Sequence, residues 1–403
     1  MDSLKEIDDL IQGYHNRLKA TSSKFYRNIY HDIDWEDKLI CIKGPKGVGK
    51  STLMLQHIRD AFSNIDDVLF LSLDNLWFTN HSLYEVASCF YAHGGRYLYL
   101  DEVHHYKPWQ IALKNIYDDC PEMHIVFSGS SLLQMESGIA DLSRRVVEYP
   151  LSGLSFREYL ELDGVISVPI IRLEDLLINH TNIAMSITQQ SKDILVHFNQ
   201  YLEYGYYPFY KEAKRGYYQR LQRVVNHILD VDYPAIEEVE ISTIRKAKKM
   251  LMVLAEQVPQ MPTMSDLYRE LETDRNQGLK MLYALQRAGL LGLLSDNAKA
   301  LKMLSRPDKI LMDNPNLMYA LGRKQDVGTI RESFFFNQLR YVAQVNYPHK
   351  GDFLVNQTYL FEVGGKSKSF EQIKDEANSF LAVDGVETGS RNRIPLWMFG
   401  LLY

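Results

Sequence analysis

Hydrophobic and polar positions alternate over the first third of the chain in a pattern that predicts an α/β fold. Short apolar runs at 39–42, 68–73, 97–100 and 124–127 predict buried strands, and stretches with helical spacing lie between them. Short strands separated by helices are typical of repeated βαβ units. We therefore expect a mostly parallel sheet, covered by helices on both faces, from residue 35 to about residue 150.

The pattern changes after this region. Residues 155–233 show helical periodicity without strand signals. From Ile244, a basic helix, a break from Pro259 to Pro262, a short helix, a polar turn and a third helix precede the apolar run Leu290–Leu294. This order suggests a winged helix. From about Gly328, one helix and two short strands predict a small α/β domain. We expect an N-terminal helical segment (1–34), an α/β core (35–155), a helical lid or linker (156–242), a winged-helix-like domain (243–326) and a small α/β domain (327–403).

Composition and charge narrow the class of protein. The chain has 403 residues, which leaves room for two to four domains at roughly 100 to 200 residues each. Its 46% hydrophobic and 24% charged residues exclude collagen-like, disordered and disulfide-framework chains. The net charge of −6 requires any nucleic-acid site to be local. Cys41, Cys89 and Cys120 form no CxxC pair, and no apolar run reaches about 18 residues, so we expect a cytoplasmic protein without a membrane span.

A glycine-rich string lies between the first predicted strand and the next helix, and it matches the pattern G-x-x-x-x-G-K-[ST]. Glycines let successive backbone amides turn inward, and the positive end of the helix faces the same cavity. We expect Lys50 to neutralise the β and γ phosphates of ATP, and the Ser51 hydroxyl to bind Mg²⁺. The predicted phosphate-binding residues are Gly44, Pro45, Lys46, Gly47, Val48, Gly49, Lys50, Ser51 and Thr52.

Two carboxylates, Asp101 and Glu102, follow the predicted strand 97–100. In a parallel sheet they lie at the carboxyl edge, where the phosphate loop also lies. We expect Asp101 to hold Mg²⁺ through water and Glu102 to polarise the attacking water. The string from Asp101 to His104 also matches the DExH string of helicases, but the other helicase strings are absent. We expect His104 and His105 to pack or cap beside the site, since no paired Cys or HExxH spacing accompanies them.

Two further positions are candidates for catalysis. The predicted strand 124–127 ends in a run of serines, where a hydroxyl can touch the γ phosphate or the attacking water. We favour Ser130 for this role and place Ser128 second. Arg145 precedes the next predicted strand and could stabilise transition-state charge in its own chain or in a neighbouring copy. A surface ion pair is the alternative for Arg145.

With these strings, residues 20–160 resemble an AAA+ ATPase. The whole chain is similar to bacterial and archaeal AAA-type ATPases that carry an uncharacterised C-terminal domain, a family related to the archaeal STAND-like ATPases. In that family the ATPase core, a helical segment, a winged helix and a tail of restriction-endonuclease type follow in this order. The resemblance implies binding of ATP and Mg²⁺. The matching strings are 44–52, 99–106, 128–132, Arg144-Arg145 before 150–152, 331–334 and 361–366.

The tail departs from the nuclease pattern. Nucleases of PD-(D/E)xK type bind a divalent metal through acidic residues and place a lysine two residues beyond the Glu, on the same strand face. Here Glu332, Asp352 and Glu362 could form this second metal site, but the lysine position is Gly364. Lys366 would lie about 13 Å from Glu362 along a regular strand, too far unless the backbone bends. We therefore expect an inactive nuclease-like scaffold.

DNA binding through the winged helix is expected to be modest. Arg275, Lys280 and Arg287 lie on or near the predicted recognition helix, but acidic residues between 261 and 290 balance the basic ones. The run Arg245–Lys249 is the better basic patch, although a solvated helix face is the usual meaning of such a run.

These observations favour an AAA+ ATPase whose nucleotide state sets the position of a C-terminal winged-helix and nuclease-like module. Two alternatives remain open. One is a DNA-cleaving effector that ATP licenses. The other is a slow ATP-dependent switch that recruits protein partners. The copies would associate if Arg145 acts between subunits.

Overall fold

The computed structural model describes residues 8–130, 135, 139, 142, 144–212, 214–235, 239–256, 264–296, 306–322 and 325–403. The chain forms two compact units, Met1–Gly153 and Leu154–Tyr403. Within the described residues, no helix combines the length and the apolar character that crossing a bilayer requires. The predicted matches at Ser131 and Leu132, and the predicted break from Pro259 to Pro262, lie outside the described residues.

In the first unit, the described strands form one parallel sheet in the order β2-β3-β4-β1-β5. Helices flank this sheet, so the predicted α/β fold is confirmed. The sheet inserts β4 between β1 and β3, which brings the carboxyl ends of these three strands side by side. The strands are β1 (Leu39–Lys43), β2 (Val68–Ser72), β3 (Tyr97–Asp101), β4 (His124–Gly129) and β5 (Val147–Pro150). The helices are α1 (Asp8–Ala20), α2 (Lys50–Ala61), α3 (Leu83–Ala92) and α4 (Trp109–Asp119).

Burial in the core of this unit explains why its strands could be predicted from the sequence. Residues 39–42 are at most 1% exposed, because a central parallel strand is covered on both faces. Polar residues then define the element ends: the Ser82 hydroxyl accepts the Glu85 amide at the start of α3. The N-terminal helix α1 also belongs to this unit, since the Tyr14 ring stacks on Phe70 of β2 with 5.6 Å between ring centroids.

The second unit begins with helices. They are α5 (Phe156–Leu162), α6 (Leu173–Gln190), α7 (Ile194–Gln200), α8 (Tyr217–His227), α9 (Ile241–Glu256), α10 (Met264–Glu270), α11 (Arg275–Arg287), α12 (Pro315–Leu321) and α13 (Val327–Leu339). The α7 and α8 helices continue as π-helical turns at Tyr201–Gly205 and Ile228–Asp232. The aromatic cluster of residues 201–210 is a packed core, as expected, with Tyr201, Tyr206 and Tyr210 buried.

Two sheets complete the second unit. An antiparallel pair is formed by β6 (Leu291–Leu294) and β7 (Lys309–Met312). The other sheet has the order β12-β11-β10-β9-β8 and is mixed, with β10, β11 and β12 parallel. Its strands are β8 (Val345–Asn346), β9 (Phe353–Val355), β10 (Tyr359–Gly364), β11 (Ser379–Val383) and β12 (Arg393–Pro395). Phe335 of α13 packs against Phe353 and Phe361 of this sheet. The further division of this unit at residues 242 and 326 stays a prediction.

Candidate functional site

A glycine-rich loop joins β1 to α2. Gly47 and Gly49 have φ of 87° and 98°, a backbone conformation that residues with a Cβ rarely adopt. A Cβ on Gly44 would lie 2.1 Å from the carbonyl oxygen of Leu151, so this position also excludes a side chain. The α2 helix begins at Lys50 without a side-chain hydrogen bond at its N-cap. Its first amides are therefore open to an anionic acceptor such as a phosphate.

Lys50 points back over this loop. Its side chain is 4% exposed, and Nζ donates hydrogen bonds to the carbonyls of Gly44 at 2.9 Å and Pro45 at 3.1 Å. Burial lowers the pKa of Lys50, and the nearby Glu102 and Asp101 carboxylates oppose this effect only in part. The ammonium group thus lies inside the loop, held by weak carbonyl acceptors that a phosphate oxygen can replace.

Asp101 at the end of β3 connects two hydroxyl groups. Ser51 Oγ donates to Asp101 Oδ2 at 2.6 Å, and Ser128 Oγ donates to Asp101 Oδ1. Burial raises the pKa of Asp101, and the two hydroxyl donors act in the opposite direction. The structure thus brings together Ser51 and Asp101, the two residues predicted to hold Mg²⁺. Their oxygens are the hard ligands that Mg²⁺ prefers.

Glu102 leaves the strand in an unusual conformation. Its φ of 54° is left-handed, which is rare for a residue with a side chain. Ser130 holds the carboxylate: Oγ donates to Glu102 Oε2 at 2.7 Å, and the Ser130 amide donates at 3.2 Å. Burial acts to raise the pKa of Glu102, but the Lys50 ammonium and the Ser130 hydrogen bonds bring it below its ordinary value. The carboxylate is therefore ionised, and Ser130 contacts it directly.

His104 is a neighbour of Glu102 that the sequence did not single out for chemistry. It lies in a 3₁₀ turn, Val103–His105, with Nδ1 3.4 Å from Glu102 Oε2. Burial lowers the pKa of His104 to about 4, against the attraction of Glu102. The expectation that this histidine packs beside the site agrees with its 3% exposure.

Arg27 is a second residue that sequence reasoning missed. Its guanidinium is buried and donates to the carbonyls of Val48 at 2.8 Å, Ser152 at 3.0 Å and Gly153 at 2.9 Å. It therefore ties the phosphate loop to the segment that follows β5. No motif contains Arg27, and a lone arginine before the first strand has no sequence signal of its own.

Arg145 lies away from the phosphate loop of its own chain. It precedes β5, and β5 runs parallel to β1, so Arg145 lies at the amino edge of the sheet, whereas Gly44 lies at the carboxyl edge. Nε and Nη2 donate to the Asp118 carboxylate at 3.2 Å. The structure does not bring Arg145 to the phosphate loop of its own chain. The surface ion pair that was the alternative is present, and a role in a neighbouring copy stays a prediction.

In the second unit, the three predicted tail acids are neutralised by lysines. Lys309 Nζ is 3.0 Å from Glu332 Oε2 and 3.5 Å from Asp352 Oδ1. Lys368 Nζ is 2.6 Å from Glu362 Oε1. Among the described residues, the three carboxylates do not bring their oxygens within 4.8 Å of one another as a set. As arranged here they form an acid and lysine network, and they are not assembled around one ion.

The lysine that contacts Glu362 is Lys368, whereas the sequence analysis considered only Lys366 and judged it too far away. A Cβ on Gly364 would lie 2.7 Å from Cβ and Cγ of Lys368, so the Lys368 side chain covers this position. A turn makes this possible, since the Lys368 amide donates to the Gly365 carbonyl at 3.0 Å. Lys366, the lysine considered from the sequence, lies instead beside Gly385. A lysine therefore does reach Glu362, from six positions further along the chain.

The basic run on α9 is largely occupied by contacts within the chain. Lys246 donates to the carbonyl of Glu272 at 2.6 Å, and Lys249 to that of Glu270 at 2.7 Å. Lys248 pairs with Asp230. These lysines close the ends of neighbouring elements, which weakens the run as a nucleic-acid surface. On α11, the exposed basic residues are Arg275, Lys280 and Arg287.

A phosphate loop after β1, with Asp101 and Glu102 at the end of a parallel strand, defines the P-loop nucleoside triphosphatase fold. Within this class, residues 36–160 match the family model described as "AAA domain", and this part of the chain is an AAA-type ATPase domain.

Relatives extend beyond that domain. The uncharacterized protein MJ1637 of Methanocaldococcus jannaschii is 25% identical over 389 residues, which cover 89% of this chain and 82% of the relative. Among solved structures, a Walker-type ATPase of Pyrococcus abyssi is 12% identical, with a TM-score of 0.41, over 74% of this chain and 95% of its own. AMPPCP-bound DnaA from Aquifex aeolicus is 15% identical, with a TM-score of 0.27, over 70% of this chain and 87% of its own.

Proposed function

We propose that the protein is a Mg²⁺-dependent ATPase of AAA+ type whose nucleotide state sets the position of a C-terminal winged-helix and nuclease-like module. The observation that carries the proposal is the convergence of Lys50, Ser51, Asp101 and Glu102 at one edge of the parallel sheet. Phosphoryl transfer needs this combination, because catalysis there consists mainly of positioning and charge stabilisation.

The residues fit Mg·ATP. The loop has no side chain at Gly44, and Ser51 with Asp101 offers oxygen ligands. When bound, Mg·ATP would supply the γ phosphoryl group and the cation that neutralises its charge. Lys50 would exchange its two carbonyl acceptors for phosphate oxygens. Glu102, ionised and held by Ser130, would orient a water molecule and accept its proton.

Two substitutions test the proposal on the full-length chain. Lys50→Ala should abolish Mg²⁺-dependent ATP binding in calorimetry, because it removes the ammonium from the loop. Glu102→Gln should keep ATP binding but lower turnover about 100-fold or more, the usual contribution of a general base. Lys24→Ala, an exposed lysine of the same unit, is the control. ATP uptake by Lys50→Ala equal to that of the unaltered chain would exclude this site.

The DNA-cleaving effector is the second candidate, and one specific observation favours it. Glu362 is 1% exposed, its Oε2 has no hydrogen-bond partner, and its Oε1 contacts Lys368. A lysine beside a buried carboxylate is the pairing that nucleases of PD-(D/E)xK type use with a divalent metal. Asp352 would have to exchange Lys309 for a metal ion. DNA contact through Arg275 and Lys280 belongs to this candidate.

Plasmid nicking in the presence of Mg²⁺ or Mn²⁺ tests the effector. We expect Lys368→Met to abolish nicking, and the matched control Lys366→Met to retain it, because Lys368 contacts Glu362 whereas the Lys366 side chain lies beside Gly385. Absence of nicking by the unaltered chain, or equal nicking by both variants, would reject this candidate. ATP binding without measurable turnover would instead favour the slow switch.

A further inference from the structure

Three side chains of types that can bind a metal ion converge beside the proposed hydrolysis site. Glu102, His104 and His105 each offer one ligand atom, and these atoms all lie within 4.8 Å of one another. The local backbone explains the convergence. Glu102 is left-handed, and the His105 amide donates to the Glu102 carbonyl at 3.1 Å, which folds the three residues into one turn. The two imidazole rings lie 4.3 Å apart between centroids.

The environment of His104 is an independent observation that favours a ligand at this turn. Both ring nitrogens of His104 are buried and have no hydrogen-bond partner. Native proteins rarely leave buried polar atoms in this condition, because an unpaired buried group has a desolvation cost. Glu102 Oε2 is 3.4 Å from Nδ1, which is beyond the usual hydrogen-bond range. A cation between Glu102 and His104 would give the buried His104 ring a partner.

We propose that Glu102, His104 and His105 form an inhibitory site for a borderline-soft divalent cation such as Zn²⁺, separate from the Mg²⁺ position at Ser51 and Asp101. Imidazole nitrogens with one carboxylate are ligands typical of Zn²⁺, whereas Mg²⁺ prefers oxygen. The inhibitory part rests on the proposed ATPase function. The metal site itself does not.

The distances are close to those of a tetrahedral zinc ion. Ligands about 2.0 to 2.2 Å from the metal are separated from one another by about 3.4 Å. The distance between His104 Nδ1 and Glu102 Oε2 is already 3.4 Å. His105 is exposed, so its side chain can approach by the remaining distance without disturbing the core. Water would fill the fourth position. The Lys50 ammonium opposes a cation here, and Asp101 favours one.

A bound cation would separate ATP binding from hydrolysis. Coordination would take up the Glu102 carboxylate, which could then no longer accept a proton from water. The phosphate loop and Lys50 would be unchanged. We therefore expect Zn²⁺ to lower turnover while Mg·ATP binding persists.

The metal site is tested first without nucleotide. Zn²⁺ is titrated into the full-length chain in competition with a chromophoric chelator. We expect one ion per chain, and binding about tenfold weaker or more in His105→Ala and His104→Ala, since even outer-sphere partners of a metal contribute that much. His105→Ala is the decisive variant because His105 is exposed and its loss leaves the core intact. Zn²⁺ binding by the unaltered chain no tighter than by His105→Ala would overturn the site.

Two controls make the titration specific. His349→Ala removes a histidine that is 93% exposed and lies 3.4 Å from Asp296, so it measures binding to an ordinary surface pair and should change nothing. Lys50→Ala should retain Zn²⁺ binding although it cannot bind ATP. Failure of the ATPase proposal therefore leaves this measurement intact.

Inhibition is tested second, with Mg·ATP in large excess over Zn²⁺. Turnover of the unaltered chain should fall, and that of His105→Ala should be unaffected at the same Zn²⁺ concentration. Displacement of Mg²⁺ from ATP would affect both chains equally, so it would not mimic this result. Zn²⁺ that binds through His105 but leaves turnover unchanged would overturn the inhibitory role. Calorimetry in saturating Zn²⁺ should still register Mg·ATP binding.

Discussion

At the scale of single residues, Glu102 has several charged and polar neighbours that determine its ionisation and orientation. It receives two donors from Ser130 and the charge of Lys50, and it lies beside His104, whose ring nitrogens have no hydrogen-bond partner. The first three contacts keep the carboxylate ionised and oriented, which a water-activating base requires. The nearby His104 also acts to lower the pKa of Glu102, although less than Lys50 and the Ser130 hydroxyl do. The two serines contact different carboxylates. The Ser128 hydroxyl donates a hydrogen bond to Asp101, and the Ser130 hydroxyl donates one to Glu102.

Gly44 gives a prediction at the same scale. A Cβ there would lie 2.1 Å from the Leu151 carbonyl oxygen, so Gly44→Ala must push apart the segments after β1 and β5. We expect a loss of about 1 to 3 kcal/mol in the free energy of unfolding, as for other overpacked sites, together with weaker ATP binding. Denaturant titration followed by fluorescence measures the first effect and calorimetry the second.

Gly13→Ala is the matched control for this change. Gly13 lies inside α1, and an added Cβ would have no atom within 4 Å. Alanine is the better helix former, so this variant should gain about 0.5 to 1 kcal/mol. If both alanine variants shift stability in the same direction, the packing argument for Gly44 is wrong.

At the scale of elements, the phosphate loop depends on a segment outside its own motif. Arg27 lies just before the 3₁₀ turn Asn28–His31 and donates to carbonyls on the loop and after β5. Arg27→Met should leave these carbonyls unpaired in the interior, at a cost of about 1 to 3 kcal/mol in stability. Because one of the carbonyls belongs to Val48, the variant should also bind ATP more weakly.

Arg96→Met is the comparison for Arg27. Arg96 also donates to carbonyls, those of Tyr91 and Gly95, but it lies at the start of β3, at the amino edge of the sheet. Its loss should reduce stability without a change in ATP affinity measured by calorimetry. Equal ATP affinity in both variants would show that Arg27 does not support the loop.

The elements also show what a sequence can and cannot predict. The strands β1, β3 and β4 are uninterrupted apolar runs because both of their faces are buried, and Lys50, Ser51 and Asp101 follow from spacing along them. Strands β8 and β12 have only two and three residues, too few for a pattern. The contact of Lys368 with Glu362 depends on the turn at Gly365, and the pairing of Arg145 with Asp118 joins positions 27 residues apart. Such contacts arise from the folded backbone, and local periodicity does not encode them.

At the scale of the whole molecule, we predict that copies of the chain act on one another through Arg145. Arg145 lies at the amino edge of the sheet, away from the phosphate loop of its own chain, so a role in ATP hydrolysis would require the nucleotide of another copy. Its partner Asp118 is exposed, and exposed ion pairs contribute about 1 kcal/mol or less. Arg145 can therefore exchange Asp118 for a phosphate at little cost.

Subunit mixing decides whether this exchange takes place. Arg145→Ala should lower turnover by about 10³-fold, as for other arginines that stabilise this transition state, while ATP binding persists. Arg144→Ala, which removes the exposed neighbour, should have little effect.

A mixture of the inactive Arg145→Ala and Lys50→Ala chains should recover turnover, since an interface can then combine an intact loop with an intact arginine. Light scattering of Glu102→Gln should show association on adding ATP. No recovery in the mixture and no association would leave Arg145 with its surface ion pair alone.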